Sequence, residues 1–213
     1  MKGDGAVLFA CASGLEAEGL EGARVLGVGK VEAALSMRDA IDERRPDAVV
    51  LFGLAGAFPE RHVGRPVRAA IRGLAVCRTD RFGDEGVMTE GGFLDLESLG
   101  IGGQAVFEAD RELTARCAEL LGAPLVSACT VSTGSGSERL SAALAARTGA
   151  DLETMEGAAV AAACARARVP FAQVRCVSNW TGDRARSCWD RKGALAALRG
   201  AVERLRRGIG GPP

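Results

Sequence analysis

Short, unbroken apolar runs alternate along this chain with stretches in which apolar positions recur at helical spacing. The runs at residues 7–12 (VLFACA), 24–28, 47–53 (DAVVLFG), 125–131 and 171–177 (FAQVRCV) lack the strict alternation of a half-solvated sheet. They predict buried strands. Between them, Val31, Leu35 and Ile41 keep a helical period as far as Arg45, where Pro46 stops the helix. Further helices are predicted over 112–121, from a Ser137 cap to Arg147, over the alanine-rich 158–167, and over the amphipathic 190–206. A polar stretch at 13–20 leads toward a short helix, and a second polar run, 151–156, opens the alanine-rich helix. Strand, helix and strand over 24–53 make a βαβ unit. Residues 64–78 predict one or two antiparallel strands with a turn near Arg72-Gly73. Residues 78–103 are long, glycine-rich and aperiodic, and a segment of that length inside a compact domain is functional or mobile. Residues 208–213 predict a frayed tail.

At 213 residues the chain has the size of one domain, 1–213, with a full three-layer core. Lysine plus arginine equals aspartate plus glutamate, 27 each, so charge offers no argument for nucleic acid or an anionic membrane. No apolar run reaches transmembrane length, and the N-terminus shows no signal-peptide pattern. The expectation is a soluble, cytoplasmic chain. Seven cysteines occur without a C-x-x-C pair, and several fall inside apolar patterns, where a thiol acts as a small hydrophobe. With His62 as the single histidine, a zinc site is not expected, and His62 is expected at the surface or an interface.

Candidate chemistry gathers where strands end. The run 171–177 empties into Ser178, Asn179 and Asp183, and polar residues at the carboxyl end of a strand are how an α/β protein builds a site. Asp183 suits either an acid or a cap of the Thr181-Gly182 turn. Glu156 at the start of a helix is, taken alone, a partner for the helix dipole. Glu16 and Glu18 follow the first strand, and glutamates in a surface loop are ordinarily solvated. Ala55 and Gly56 after the third strand suit either a close-packed turn or the approach of a flat heterocycle to the backbone. Gly27-Val28-Gly29-Lys30 fits neither phosphate-binding pattern: Val31 stands where a P-loop needs Ser or Thr, and Glu32 where a dinucleotide fold needs its third glycine.

Taken together these segments carry a resemblance. Met155-Glu156-Gly157-Ala158-Ala159, followed by Arg175-Cys176-Val177-Ser178-Asn179, resembles the purine nucleoside phosphorylase/nucleosidase superfamily. Gly27-Val28-Gly29-Lys30-Val31 and Gly53-Leu54-Ala55-Gly56 are similar to that superfamily's corresponding turns. Arg81-Phe82-Gly83-Asp84-Glu85-Gly86 with Gly92-Phe93-Leu94-Asp95-Leu96 and Leu99-Gly100 resembles the futalosine hydrolases within it. The resemblance implies a three-layer nucleoside phosphorylase-like α/β fold with a twisted mixed central sheet flanked by helices. It implies a homo-oligomer, a small-molecule nucleoside substrate and no cofactor.

The resemblance also implies roles. Glu18, with Glu16 as the fallback, would activate water; Met155 and Glu156 would hold the ribose; Ser178 and Asn179 would hold the base; Ala55 and Gly56 would line its pocket. Phe82, Phe93 or Trp180 would stack on the base, with Phe82 counted among the substrate residues. Asn179 stands where adenine-specific relatives carry aspartate. A neutral amide can donate toward N7 or O6, which an ionised carboxylate cannot, so Asn179 points to a 6-oxopurine. The implied reaction is hydrolysis of the N-glycosidic bond of futalosine to hypoxanthine and dehypoxanthinyl futalosine, in menaquinone biosynthesis. Residues 13–20 contain no cation for a phosphate cradle, which favours water over phosphate as nucleophile. The alternatives are a nucleosidase or phosphorylase acting on inosine or an adenine thionucleoside, and a non-catalytic nucleoside-binding protein. For the benzoate end of futalosine, Arg61, Arg65, Arg68, Arg81, Arg184 and Arg186 are candidates by charge.

Overall fold

A computed structural model describes residues 6–185 and 189–209. In chain order the elements are β1 (Val7–Cys11), α1 (Gly14–Ala17), β2 (Arg24–Val25), α2 (Lys30–Arg44), β3 (Ala48–Ala57), α3 (Glu60–Val63), β4 (Leu74–Phe82), β5 (Gly86–Thr89), β6 (Gly92–Asp95), β7 (Val106–Glu108), α4 (Arg111–Leu121), β8 (Leu125–Thr130), α5 (Glu138–Thr148), β9 (Leu152–Thr154), α6 (Gly157–Ala167), β10 (Phe171–Trp180) and α7 (Arg191–Ile209).

The central sheet is mixed and runs β10-β4-β8-β9-β3-β1-β2, with β7 added to β4. Because β10 also pairs with β3, the five strands β10, β4, β8, β9 and β3 close on one another, and β1 and β2 extend outward from β3. The two longest strands, β3 and β10, lie side by side and parallel from Val49/Phe171 to Ala57/Trp180. Their residues are buried on both faces, as a parallel pair covered by helices requires. Helices α2 and α6 cover one side through Ala33, Met37, Ala40, Val160 and Cys164, and α4 and α7 cover the other through Cys117, Leu198, Val202 and Leu205.

The structure differs from the sequence expectation in instructive places. β3 and β10 do not end at Gly53 and Val177; they run on through Ala57 and Trp180, so Ala55, Gly56, Ser178 and Asn179 are strand residues. Residues 152–154, expected to lead into the helix, form β9, which inserts between β3 and β8. Across 64–78 only β4 forms, after a turn at Arg72 and Gly73. Residues 78–103 carry the end of β4 and the β5–β6 hairpin. The α2 stripe facing the sheet is Ala33, Met37, Ala40 and Ile41, whereas Val31 and Leu35 point to solvent, 71% and 61% exposed. Small alanines face the equally alanine-rich α6 and let the two helices approach closely. α7 runs through Gly208 and Ile209, so of the expected tail only residues 210–213 remain, and they lie outside the described residues.

Candidate active site

One cavity of about 440 Å3 opens over the carboxyl ends of β1, β3 and β10. That volume suits a small organic ligand. Ser13, Glu16, Ala55, Gly56, Met155 and Glu156 line it, together with Ser178, Asn179, Trp180 and Glu153. The loop 134–136, Arg184 and Trp189 complete the wall.

Glu16 enters from the turn after β1. Its Oε2 accepts from the backbone amides of Ala12 (3.1 Å) and Ser13 (3.0 Å) and from Ser13 Oγ (3.0 Å), and its Oε1 accepts from Leu54 N (2.9 Å). The carboxylate is thus tied both to the end of β1 and to Leu54 within β3, with one acceptor position of Oε1 still available to a ligand. Glu18, two residues on, lies outside the cavity: it is solvent-facing and 3.6 Å from Arg199. The glutamate that the sequence made the fallback is therefore the one at the cavity. Glu18 is the C-cap of α1, two residues or about 200° of rotation beyond Glu16, which turns the second side chain away.

Glu156 is the N-cap residue of α6, yet its side chain makes no capping bond. Instead Oε1 accepts from Gly29 N (3.0 Å), in the glycine turn before α2. The dipole-partner role suggested by its position is therefore not the one its carboxylate plays. Burial raises its pKa, and the nearby Arg175 guanidinium and the Gly29 amide oppose that rise. The turn that resembles a phosphate loop thus gives an amide to a carboxylate, while Lys30 Nζ is held by Asp84 (2.6 Å) and Glu85 (3.1 Å).

Beneath both glutamates lies Arg175 of β10, 1% exposed. Its Nη1 donates to Leu54 O (3.3 Å) and lies 3.9 Å from Glu156 Oε2. The guanidinium and Glu16 both pass over Gly53, where a Cβ would meet Arg175 Nη1 at 2.5 Å and Glu16 Oε1 at 2.8 Å. An arginine within the apolar run FAQVRCV was the available sequence signal, since a buried cation demands carboxylate partners.

The β10 side of the cavity is shaped by a bulge. Register between β3 and β10 steps from Val177↔Ala55 to Asn179↔Gly56, leaving Ser178 as the extra residue. Such a bulge re-aims the side chain that follows it. Ser178 Oγ bonds Ala55 O (3.3 Å) and Asn179 Oδ1 (2.8 Å), and Asn179 Nδ2 donates to Trp180 O (3.0 Å). The hydroxyl and the carbonyl together set which end of the amide is which, and the second Nδ2 hydrogen remains for a ligand. Trp180 and Trp189 are the aromatic residues among those lining the cavity. Phe82 is not there: it packs edge-on against Phe107, 5.6 Å between centroids, with Lys30 Nζ 5.1 Å from its ring. Pairing of β4 with β7 carries Phe82 to the α2–α6 layer. Phe93 lies under the Arg147 guanidinium, 4.3 Å from its carbon.

Other candidates also find their places. Asp183 Oδ1 accepts from Ala185 N (3.0 Å), a turn bond, and the residue does not line the cavity. Arg61 pairs with Glu138 (2.7 Å), Arg65 and Arg68 with Asp151, and Arg81 with Asp95 (3.6 Å). Arg184 is the basic side chain among the described lining residues, and Arg186 lies outside the described residues. His62 is enclosed rather than superficial, its ring bonded to Ser141 Oγ and Glu138, both at 2.8 Å. The six described cysteines are free and buried, and burial pushes the Cys117 thiol up to about 11; Cys188 lies outside the described residues.

Comparison with known proteins agrees with this geometry. The profile of the Phosphorylase superfamily matches residues 4–207. The chain is 35% identical over 188 residues to the futalosine hydrolase of Thermus thermophilus, covering 87% of this chain and 80% of that protein. It is 38% identical over 186 residues to the futalosine hydrolase of Streptomyces coelicolor, covering 84% and 75%. Among solved structures, the 5′-methylthioadenosine/S-adenosylhomocysteine nucleosidase of Colwellia psychrerythraea in complex with adenine superposes with a TM-score of 0.77 at 22% identity, over 100% of this chain and 99% of that one. A futalosine hydrolase mutant of Helicobacter pylori superposes with a TM-score of 0.72 at 17% identity, over 93% and 99%. The fold is that of these nucleosidases, and the chain belongs to the futalosine hydrolases of the phosphorylase superfamily.

Proposed function

We infer that this cavity hydrolyses the N-glycosidic bond of futalosine, releasing hypoxanthine and dehypoxanthinyl futalosine for menaquinone biosynthesis. The observation that carries the reading is the convergence of Glu16, Glu156 and Asn179 on one cavity in a member of the futalosine hydrolase family. Glu156, with Met155 beside it, holds the ribose hydroxyls. Glu16 accepts a hydrogen bond, then a proton, from the attacking water through Oε1. As the C1′–N9 bond breaks, its electron pair moves into the purine and the water oxygen bonds to C1′. The positive charge that develops on the ribose lies between two carboxylates held in place beforehand, and that arrangement stabilises it. Asn179 donates to the departing base at N7 or O6; an amide is no acid, so the base leaves as a hydrogen-bonded anion or takes its proton from water.

Water rather than phosphate is the nucleophile in this reading. Ser13 and Glu16 occupy the turn after β1, and a phosphate dianion beside Glu16 would be repelled. The substrate's benzoate end meets Arg184, whose guanidinium carbon lies 5.3 Å from the Trp189 ring. A second copy of the chain covers the exposed apolar residues Val28, at the cavity, and Val31 and Leu35 of α2, giving a homo-oligomer. No helix of the described residues is long and apolar enough to cross a membrane, and free buried thiols suit a reducing compartment, for which this reading assigns the cytoplasm.

The test is chromatographic release of free base from futalosine, inosine and methylthioadenosine, each with and without phosphate. Hypoxanthine from futalosine at a rate independent of phosphate is expected. Adenine from methylthioadenosine as the main product would sink the reading.

A further inference from the structure

Glu153 is a carboxylate in the cavity wall with no part in the reaction described above. It sits in β9, where Leu152 and Thr154 face the interior and Glu153 faces the cavity. In the sheet, Asn179 of β10 is in register with Gly56 of β3, and Gly56 with Glu153 of β9. Residues in register across neighbouring strands project from the same face. The amide and the carboxylate therefore flank a glycine, with their Cα atoms about 9.5 Å apart, or two strand spacings. A flat ring lying over Gly56 meets an amide at one edge and a carboxylate at the other.

We propose that Glu153 is the specificity-determining residue of this cavity, its carboxylate accepting the N1–H of a 6-oxopurine whose O6 and N7 edge is held by Asn179. The proposal rests on the function inferred above and deepens it. A 6-oxopurine carries a hydrogen on N1, whereas a 6-aminopurine presents a lone pair there. A carboxylate accepts only, so it satisfies the first and opposes the second. Its aim is set by Ser135, whose amide donates to both carboxylate oxygens (3.1 Å each) and whose hydroxyl donates to Oε2. Two donors leave acceptor positions on the carboxylate for a ligand. The same two bonds hold the carboxylate form against burial, which raises the pKa of Glu153. Asn179 alone distinguishes the bases poorly, because N7 is an acceptor in both and the free amide hydrogen can donate to it in either; a fixed carboxylate at N1 discriminates.

The test is calorimetric binding of hypoxanthine, 1-methylhypoxanthine and adenine to the full chain and to Glu153→Gln. It is paired with base release from futalosine by the unsubstituted protein. The parent is expected to bind hypoxanthine about 10- to 100-fold more tightly than either comparison base, the scale of one buried hydrogen bond gained or a lone pair left opposed. Glu153→Gln, which keeps an oxygen for Ser135 N, should bring the three affinities within about threefold. Equal binding of hypoxanthine and 1-methylhypoxanthine by the parent overturns the proposal without reference to any variant, and so does an unchanged preference in Glu153→Gln with an unaltered melting temperature. If the parent prefers hypoxanthine yet releases no base from futalosine, the function reading fails while the role of Glu153 stands.

Discussion

Arg175 Nη1 stands 3.9 Å from Glu156 Oε2, with both side chains closed off from solvent. Burying either charge alone would cost several kcal/mol, so each is present on condition of the other. Glu16 Oε1 and Arg175 Nη1 both lie over Gly53, 2.8 and 2.5 Å from where a Cβ would stand, so the same cation sits near both carboxylates. Glu156 and Arg175 are in this sense a buried ion pair opened on one side to a cavity.

The assignment of the water-activating carboxylate is tested by two neighbouring substitutions. Glu16→Gln should lower kcat for base release by about 10²- to 10⁴-fold, the usual contribution of a general base. Glu18→Gln, on the solvent side against Arg199, should stay within about twofold of the parent, since exposed charges contribute little. The reverse ordering in steady-state kinetics would return the role to Glu18.

Removing the buried cation Arg175 should affect stability and pH response together. Arg175→Met leaves Glu156 buried without its counter-charge and should cost roughly 3–5 kcal/mol in denaturant unfolding. Arg175 lowers the Glu156 pKa, so its loss lets that pKa rise further. The acid limb of kcat/KM should then move to higher pH in the variant. A limb that stays put would separate Arg175 from the titration of Glu156.

Gly53 is required by close approach rather than by backbone conformation. In Gly53→Ala the new Cβ would lie 2.5 Å from Arg175 Nη1 and 2.8 Å from Glu16 Oε1, so one of them has to move. Misplacing a catalytic group by about 1 Å can cost about 100-fold, and a loss of that order in kcat is expected. Wild-type kinetics in this variant would show that the cluster has slack the geometry does not suggest.

Asp80 supplies a pH dependence of stability that is independent of catalysis. It is enclosed among Thr130 Oγ1 (2.9 Å), Thr154 Oγ1 (3.4 Å) and Gln173 Nε2 (3.0 Å), and burial raises its pKa to about 6. A folded-state pKa above the unfolded value means the folded chain binds the proton more tightly. That contribution is complete below about pH 4 and is lost as pH rises through about 6. Asp80→Asn should therefore flatten the stability profile between about pH 4 and 6 relative to the parent and be more stable at pH 7, by up to roughly 3 kcal/mol for a shift of about two units. Gln173 Oε1, buried without a partner among the described residues, can turn to accept from the new amide. An undiminished slope in the variant, by urea titration across that pH range, would remove Asp80 as its source.

Much of this was legible in the chain itself. Apolar runs without alternation marked β1, β3, β8 and β10, because strands covered on both faces need no polar side. Ser137 does cap α5, its Oγ accepting from Leu140 N at 3.3 Å. Glu156 and Asn179 stood out as polar residues next to buried elements, and both line the cavity. Other features depended on partners far away in sequence. Whether residues 152–154 are strand or helix lead-in is decided by the free edges of β3 and β8, between which only a strand fits. Glu153 could not be singled out before that strand was known. Phe82 had the composition of a stacking residue but is drawn to Phe107 by the pairing of β4 with β7. Between Glu16 and Glu18 local sequence offers no preference, since both follow the same strand. The choice is made by the Leu54 amide, which comes from β3 and donates to Glu16 Oε1. Periodicity and residue type are local properties, and they determined the elements and the family. The aim of each carboxylate is a long-range property, set by which buried charge and which backbone amide the closed sheet brings within reach.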